Sequence, residues 1–138
     1  MRGGKARCTV VVSDEPIGAP LVRRPSAAVV LNIPSMEAFE PAVKPGGVLV
    51  VNSSMVPDES ERDDIDVVYA PASDLATEIG NVRMANVICL GASAEATGVV
   101  ALDAVAQALD DHLPKRHRDL LDLNKQALRK GAGLAREA

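Results

Sequence analysis

Four aliphatic residues in a row, Val48-Leu49-Val50-Val51, are bounded by Gly46-Gly47 in front and Asn52-Ser53-Ser54 behind. The run has no alternation of apolar and polar positions, so it is not a strand with one wet face. It is too short for a helix and opens on a glycine turn, which leaves a strand buried on both faces, as parallel strands are. Helices then have to cover both faces, and a ligand would meet such a strand at its carboxyl end, Asn52-Ser53-Ser54.

The flanking pattern supplies the rest of an open sheet. The β-branched stretch Arg7 to Ser13 predicts a first strand, with Leu21-Val22 as a short edge after a proline-rich turn. Ala27 to Asn32 predicts a second buried strand, and Ser35 is placed to N-cap a short helix from Met36 to Ala42. Residues 56–64 carry six charges and read as a solvated, mobile loop before a last strand, Ile65 to Ala70. Pro71 suits the first position of a helix over Ala72 to Ile79, which Gly80-Asn81 ends. Met84 to Ala94 is apolar nearly all round and predicts a buried helix, with Gly91 marking close approach of another backbone. Leu102, Val105, Ala106 and Leu109 fall on one face of a surface helix. A final helix runs through Leu120, Leu121, Ala127 and Leu128, and residues 131–138 are expected to fray. Strand–helix alternation followed by helices predicts an α/β fold: an open, three-layer, Rossmann-like, mostly parallel sheet with helices on both faces and C-terminal helices.

Composition narrows the chemistry. At 138 residues the chain makes one domain (1–138) with a core of its own. Tyr69 and Phe39 are its only aromatics, and the net charge is -4 from 15 basic and 19 acidic residues. Both features argue against nucleic-acid binding, which uses aromatic platforms and basic surfaces. Cys8 and Cys89 lie far apart without Cys-x-x-Cys spacing, so neither zinc nor an iron–sulfur cluster is expected on this chain. No apolar run reaches membrane-spanning length and no secretory leader is evident, so a cytoplasmic protein without a membrane partner is expected.

No catalytic motif is present: there is no nucleophile elbow, Walker loop, His-Glu-x-x-His or Gly-x-Gly-x-x-Gly. His112 and His117 sit in a charged run and read as part of a solvated helix end. Two polar clusters remain as candidate sites. Asn32, Asn52, Ser53 and Ser54, with Ser73, stand at strand carboxyl ends where they could converge on a ligand, although turn chemistry and helix capping account for each equally well. Arg2, Gly3, Gly4 and Arg7, with Lys5, combine backbone access with cationic charge suited to an anionic ligand or partner.

Taken in order, four segments resemble one family. They are Arg2-Gly3-Gly4-Lys5-Ala6-Arg7 through Ser13-Asp14-Glu15-Pro16-Ile17-Gly18, Lys44-Pro45-Gly46-Gly47 through Asn52-Ser53-Ser54, Gly80-Asn81 to Asn86, and Leu90-Gly91-Ala92 through Thr97-Gly98. The order resembles the gamma subunit of the 2-oxoacid:ferredoxin (acceptor) oxidoreductases, the pyruvate/2-oxoglutarate/ketoisovalerate group. The resemblance implies a complex that decarboxylates a 2-oxoacid with thiamine diphosphate and magnesium, passes the acyl group to coenzyme A, and sends electrons through [4Fe-4S] clusters to ferredoxin. It implies that those cofactors reside on alpha, beta and delta-type subunits, in an arrangement such as a dimer of heteromers. This chain, inactive alone, would then assemble the complex on its coenzyme A and substrate side. Family members usually precede the Arg-Gly-Gly segment with a strand, a Gly-x-Gly-Gly-Gln-Gly turn and a helix. Met1 here stands directly before Arg2, so the expectation is either a fragment or misplaced start, or a missing central strand supplied from elsewhere, without which an apolar edge would be exposed. A free-standing α/β module binding a nucleotide or coenzyme A is the alternative function.

Overall fold

The computed structural model describes residues 6–18 and 22–137. Three parallel strands, β1 (Ala27–Val30), β2 (Val48–Asn52) and β3 (Asp66–Ala70), lie in the order β1-β2-β3. Val30 pairs with Val51, and Val51 with Tyr69, so the strands are in step at their carboxyl ends. Every residue of β2 is buried. Its side chains alternate between two cores: Val48 and Val50 face one, Leu49 and Val51 the other. That is the structural meaning of an unbroken aliphatic run in a central parallel strand.

One core is closed by the short helix α1 (Ile33–Phe39), through Met36 and Phe39, together with Val43, Val56 and Ile65. The other is closed by α2 (Ala72–Glu78), α3 (Ala85–Thr97) and α5 (Leu121–Glu137), with α4 (Leu102–His112) laid over them. The open α/β architecture with C-terminal helices is therefore as expected. Gly80 (φ 105°) and Gly98 (φ 66°) follow α2 and α3 in positive-φ conformations that side chains seldom adopt, which is why those helices stop there. A 3-10 turn, Val82–Met84, leads into α3.

Several local expectations are corrected. Residues 7–13 form no strand: they run without regular pairing, and Val10 and Val12 are exposed. β-propensity had no partner strand to act on. Leu21 lies outside the described residues, and Val22 belongs to no strand. The second strand ends at Val30, and Val29 and Leu31 are partly exposed because β1 is an edge. Helix α1 starts three residues earlier than Met36: Asn32, not Ser35, is its N-cap, and its Oδ1 accepts from the Ser35 N–H at 3.0 Å. Pro71 occupies the N-cap of α2 rather than its first turn. The loop 56–64 is tied down. Arg62 donates to the Glu40 and Val43 carbonyls at 2.9 and 2.5 Å and pairs bidentately with Asp64 at 2.8 and 2.7 Å. The Tyr69 hydroxyl accepts from the Ser60 N–H at 2.8 Å. The hydrogen bond from Arg62 holds the Asp64 carboxyl below the usual carboxylate range.

The expected fraying from Gly131 onward is also overturned, since α5 continues to Glu137 with Gly131 and Ala132 buried. The reason is steric. A methyl built on Gly131 would overlap the Ile88 carbonyl of α3, and one built on Gly91 would overlap the Leu128 carbonyl of α5. Two glycines, one on each helix, thus bring the backbones into direct contact. Gly91→Ala and Gly131→Ala must force the helices apart, each losing about 1–3 kcal/mol, the range for overpacked cores. The double variant should lose less than the sum, because the first methyl already opens the gap. Gly133, with open space around its α-carbon, is the control: Gly133→Ala should gain up to about 1 kcal/mol from helix propensity. Urea unfolding followed by circular dichroism separates the three, and a neutral Gly131→Ala would refute the contact.

Candidate functional site

The carboxyl end of the sheet carries the polar cluster. The register places Asn52 beside Ala70, just before the point where β3 turns into α2. Pro71 at the N-cap has no side-chain acceptor to offer the first N–H groups of α2. Asn52 supplies it from the neighbouring strand: its Oδ1 accepts from the N–H groups of Ala72 at 3.1 Å and Ser73 at 3.3 Å. Its Nδ2 donates to Ser73 Oγ at 3.0 Å. Ser54 Oγ accepts the next N–H, that of Asp74, at 3.1 Å, and the Ser53 N–H donates to the Ala70 carbonyl at 2.8 Å. Asn52 is only 3% exposed, so its capping bonds form inside the protein, where leaving them unmade is costly.

The structure therefore joins Asn52, Ser54 and Ser73 in one hydrogen-bonded corner and gives Asn32 a separate task, the cap of α1. Capping accounts for these side chains. Ser53 sits at the rim of the same corner, half-buried. Arg7 is exposed on the irregular segment, and Arg2, Gly3 and Gly4 lie outside the described residues. The cross-strand cap went unread in the sequence, although a proline preceding a helix without Ser, Thr, Asp or Asn beside it signals that an acceptor must come from elsewhere.

The thiols do not suit a metal cluster. Cys8 is exposed and Cys89 is buried in the core against the helices. Burial pushes the Cys89 thiol up to about 11, so it stays protonated where a ligand must be thiolate. Among the described residues no three His, Cys, Asp or Glu side chains are gathered where they could hold a metal ion. No helix among them is long and apolar enough to cross a membrane.

The open parallel sheet with its strand-end polar groups engaged in capping defines an α/β domain. Residues 1–134 match the family described as pyruvate ferredoxin/flavodoxin oxidoreductase, and the chain belongs to that family. It is 35% identical over 119 residues to the 2-oxoglutarate synthase subunit KorC of Methanothermobacter marburgensis, covering 82% of this chain and 64% of that one. To the ketoisovalerate oxidoreductase subunit VorA of the same organism it is 32% identical over 137 residues, covering 99% of this chain and 28% of that one. The chain thus spans less than two-thirds of the length of these two relatives. The crystal structure of the keto/oxoacid ferredoxin oxidoreductase gamma subunit from Geobacter sulfurreducens superposes with a TM-score of 0.78 at 25% identity, covering 91% of this chain and 68% of that one.

Mutation checks the cap, and titration and labelling check the buried thiol. Asn52→Ala leaves the buried Ala72 N–H and the part-buried Ser73 N–H without an acceptor and should cost about 2 kcal/mol in urea unfolding, against about 1 kcal/mol or less for the exposed cap lost in Ser54→Ala. Equal costs would contradict the cross-strand cap. For Cys89, the folded thiol titrates above the unfolded one, so its contribution is complete below the unfolded value and lost as pH rises. Between about pH 9 and 11 the native chain should lose roughly 2–3 kcal/mol relative to Cys89→Ala. Thiol labelling at pH 8 should modify Cys8 at once and Cys89 only on unfolding.

Proposed function

We propose that this chain serves as the gamma component of a thiamine-diphosphate-dependent 2-oxoacid:ferredoxin oxidoreductase complex. The carrying observation is the family match over residues 1–134, supported by the fold shared with a gamma subunit. In that reaction a 2-oxoacid loses carbon dioxide, the acyl group passes to the coenzyme A thiol, and the electron pair released leaves for ferredoxin through iron–sulfur clusters. Thiamine diphosphate, magnesium and the clusters reside on alpha, beta and delta-type partner subunits. The two cysteines here, one exposed and one buried and protonated, are unsuited to hold a cluster.

The work of this chain is assembly and the shaping of the coenzyme A side. In this reading Arg2, Gly3, Gly4 and Arg7 supply cationic charge and glycines suited to the anionic coenzyme or a partner, and Asn32, Ser53 and Ser54 are the further polar residues assigned to that role. Asn52 contributes indirectly, by fixing where α2 begins. A free-standing ligand module is less favoured, because the buried amide that would read a ligand is occupied by capping.

Anaerobic purification from the source cells tests this reading. The chain should migrate in an assembly far larger than 14.4 kDa, and the same fraction should contain thiamine and iron. A lone chain or a homodimer free of both would overturn it. Within the intact complex, Arg7→Ala should raise the KM for coenzyme A and leave that for the 2-oxoacid unchanged. An unchanged KM for coenzyme A would remove Arg7 from that side.

A further inference from the structure

The two faces of the sheet are closed in unlike ways. On the Val48/Val50 face, helices α2, α3 and α5 build one continuous core. On the Leu49/Val51 face the cover is α1 and the crossover from β2 to β3, which contains no helix. That crossover is pinned at its two ends by buried Val56 and Ile65, and none of residues 57–64 between them is buried. No backbone hydrogen bond joins residues 57–63 to the rest of the described protein. Two side chains hold this strap instead. The Tyr69 hydroxyl accepts the Ser60 N–H, and Arg62 donates to the Glu40 and Val43 carbonyls while Asp64 braces its guanidinium.

Helix α1 is as lightly held. It buries one residue, Met36, and packs principally on β1. Glu40 is its C-cap, so Arg62 satisfies a carbonyl at the open end of the helix and fastens the strap with the same group. We propose that α1 and residues 57–64 form one lid over the Leu49/Val51 face, clasped by Arg62, which opens as a unit while the helical layer on the other face stays folded. Cooperative units with few buried contacts open at lower free energy than a packed core, and lids are drawn from them. β2 is buried along its whole length and separates the two cores, so lifting one cover leaves the contacts of the other intact. The inference is independent of the subunit reading.

The test uses the native assembly isolated from the source cells. Hydrogen exchange of the α1 amides reports one half of the lid, and cleavage by a glutamate-specific protease at exposed Glu59 or Glu61 reports the other. Tyr69→Phe removes the acceptor of the Ser60 N–H, a bond that lies outside α1. It should speed cleavage and α1 exchange by one common factor, about threefold or more. Arg62→Ala should speed both by about tenfold or more, with exchange over Ala85–Thr97 and Leu121–Glu137 unchanged. Cleavage that quickens alone in Tyr69→Phe, neither readout changing, or α3 and α5 exchanging faster in step with α1 would each overturn the proposal.

Discussion

The meeting of α3 and α5 through Gly91 and Gly131 is the constraint on which this domain depends. Each glycine faces a carbonyl of the other helix, Leu128 and Ile88 respectively, so the approach is set by backbone rather than by adaptable side chains. Close approach is what lets α5 reach the sheet: Ala127, Leu128 and Ala132 are fully or almost fully buried, and Ala127 and Leu128 share a core with Val48, Val50 and Val68. A chain with one Phe, one Tyr and no Trp lacks the large side chains that bridge wide gaps. Small residues at the crossing compensate by narrowing the gap, keeping the interior dense without aromatic bulk.

The strand end shows a second economy. A helix entered through proline has no side-chain cap of its own, and the adjacent strand provides one through Asn52. The placement follows from the parallel register, which brings the last residue of β2 level with the turn out of β3. The position where an open α/β sheet ordinarily receives a ligand is thereby partly filled with structural hydrogen bonds.

What was legible in the sequence follows from how local the cause is. β2, β3, α2, α3 and α4 were readable because unbroken aliphatic runs, apolar periodicity and glycine stops are local signals. Gly91 read correctly as a point of close approach, since glycine within a helix has few other reasons. Its partner Gly131 was taken for the start of a frayed end, because the surrounding residues are polar and only the facing helix reveals that the position is buried. Residues 7–13 failed for the converse reason: their propensity is real, but a strand requires a neighbour that no window of sequence contains. Loop 56–64 misled through its charge. One of its six charges, Arg62, turns inward to two carbonyls, and the rest remain in solvent.

The two edges and the two faces of the sheet are closed to different degrees. Its faces are covered, one by α1 and the other by the α2, α3 and α5 layer. The β3 edge is guarded by a tethered loop, and the carboxyl end by caps. The β1 side combines a backbone row unpaired among the described residues with exposed Val29 and Leu31. For an isolated chain this concentration of apolar surface and unmet backbone bonding is an unfavourable arrangement. A strand laid along that edge would relieve it.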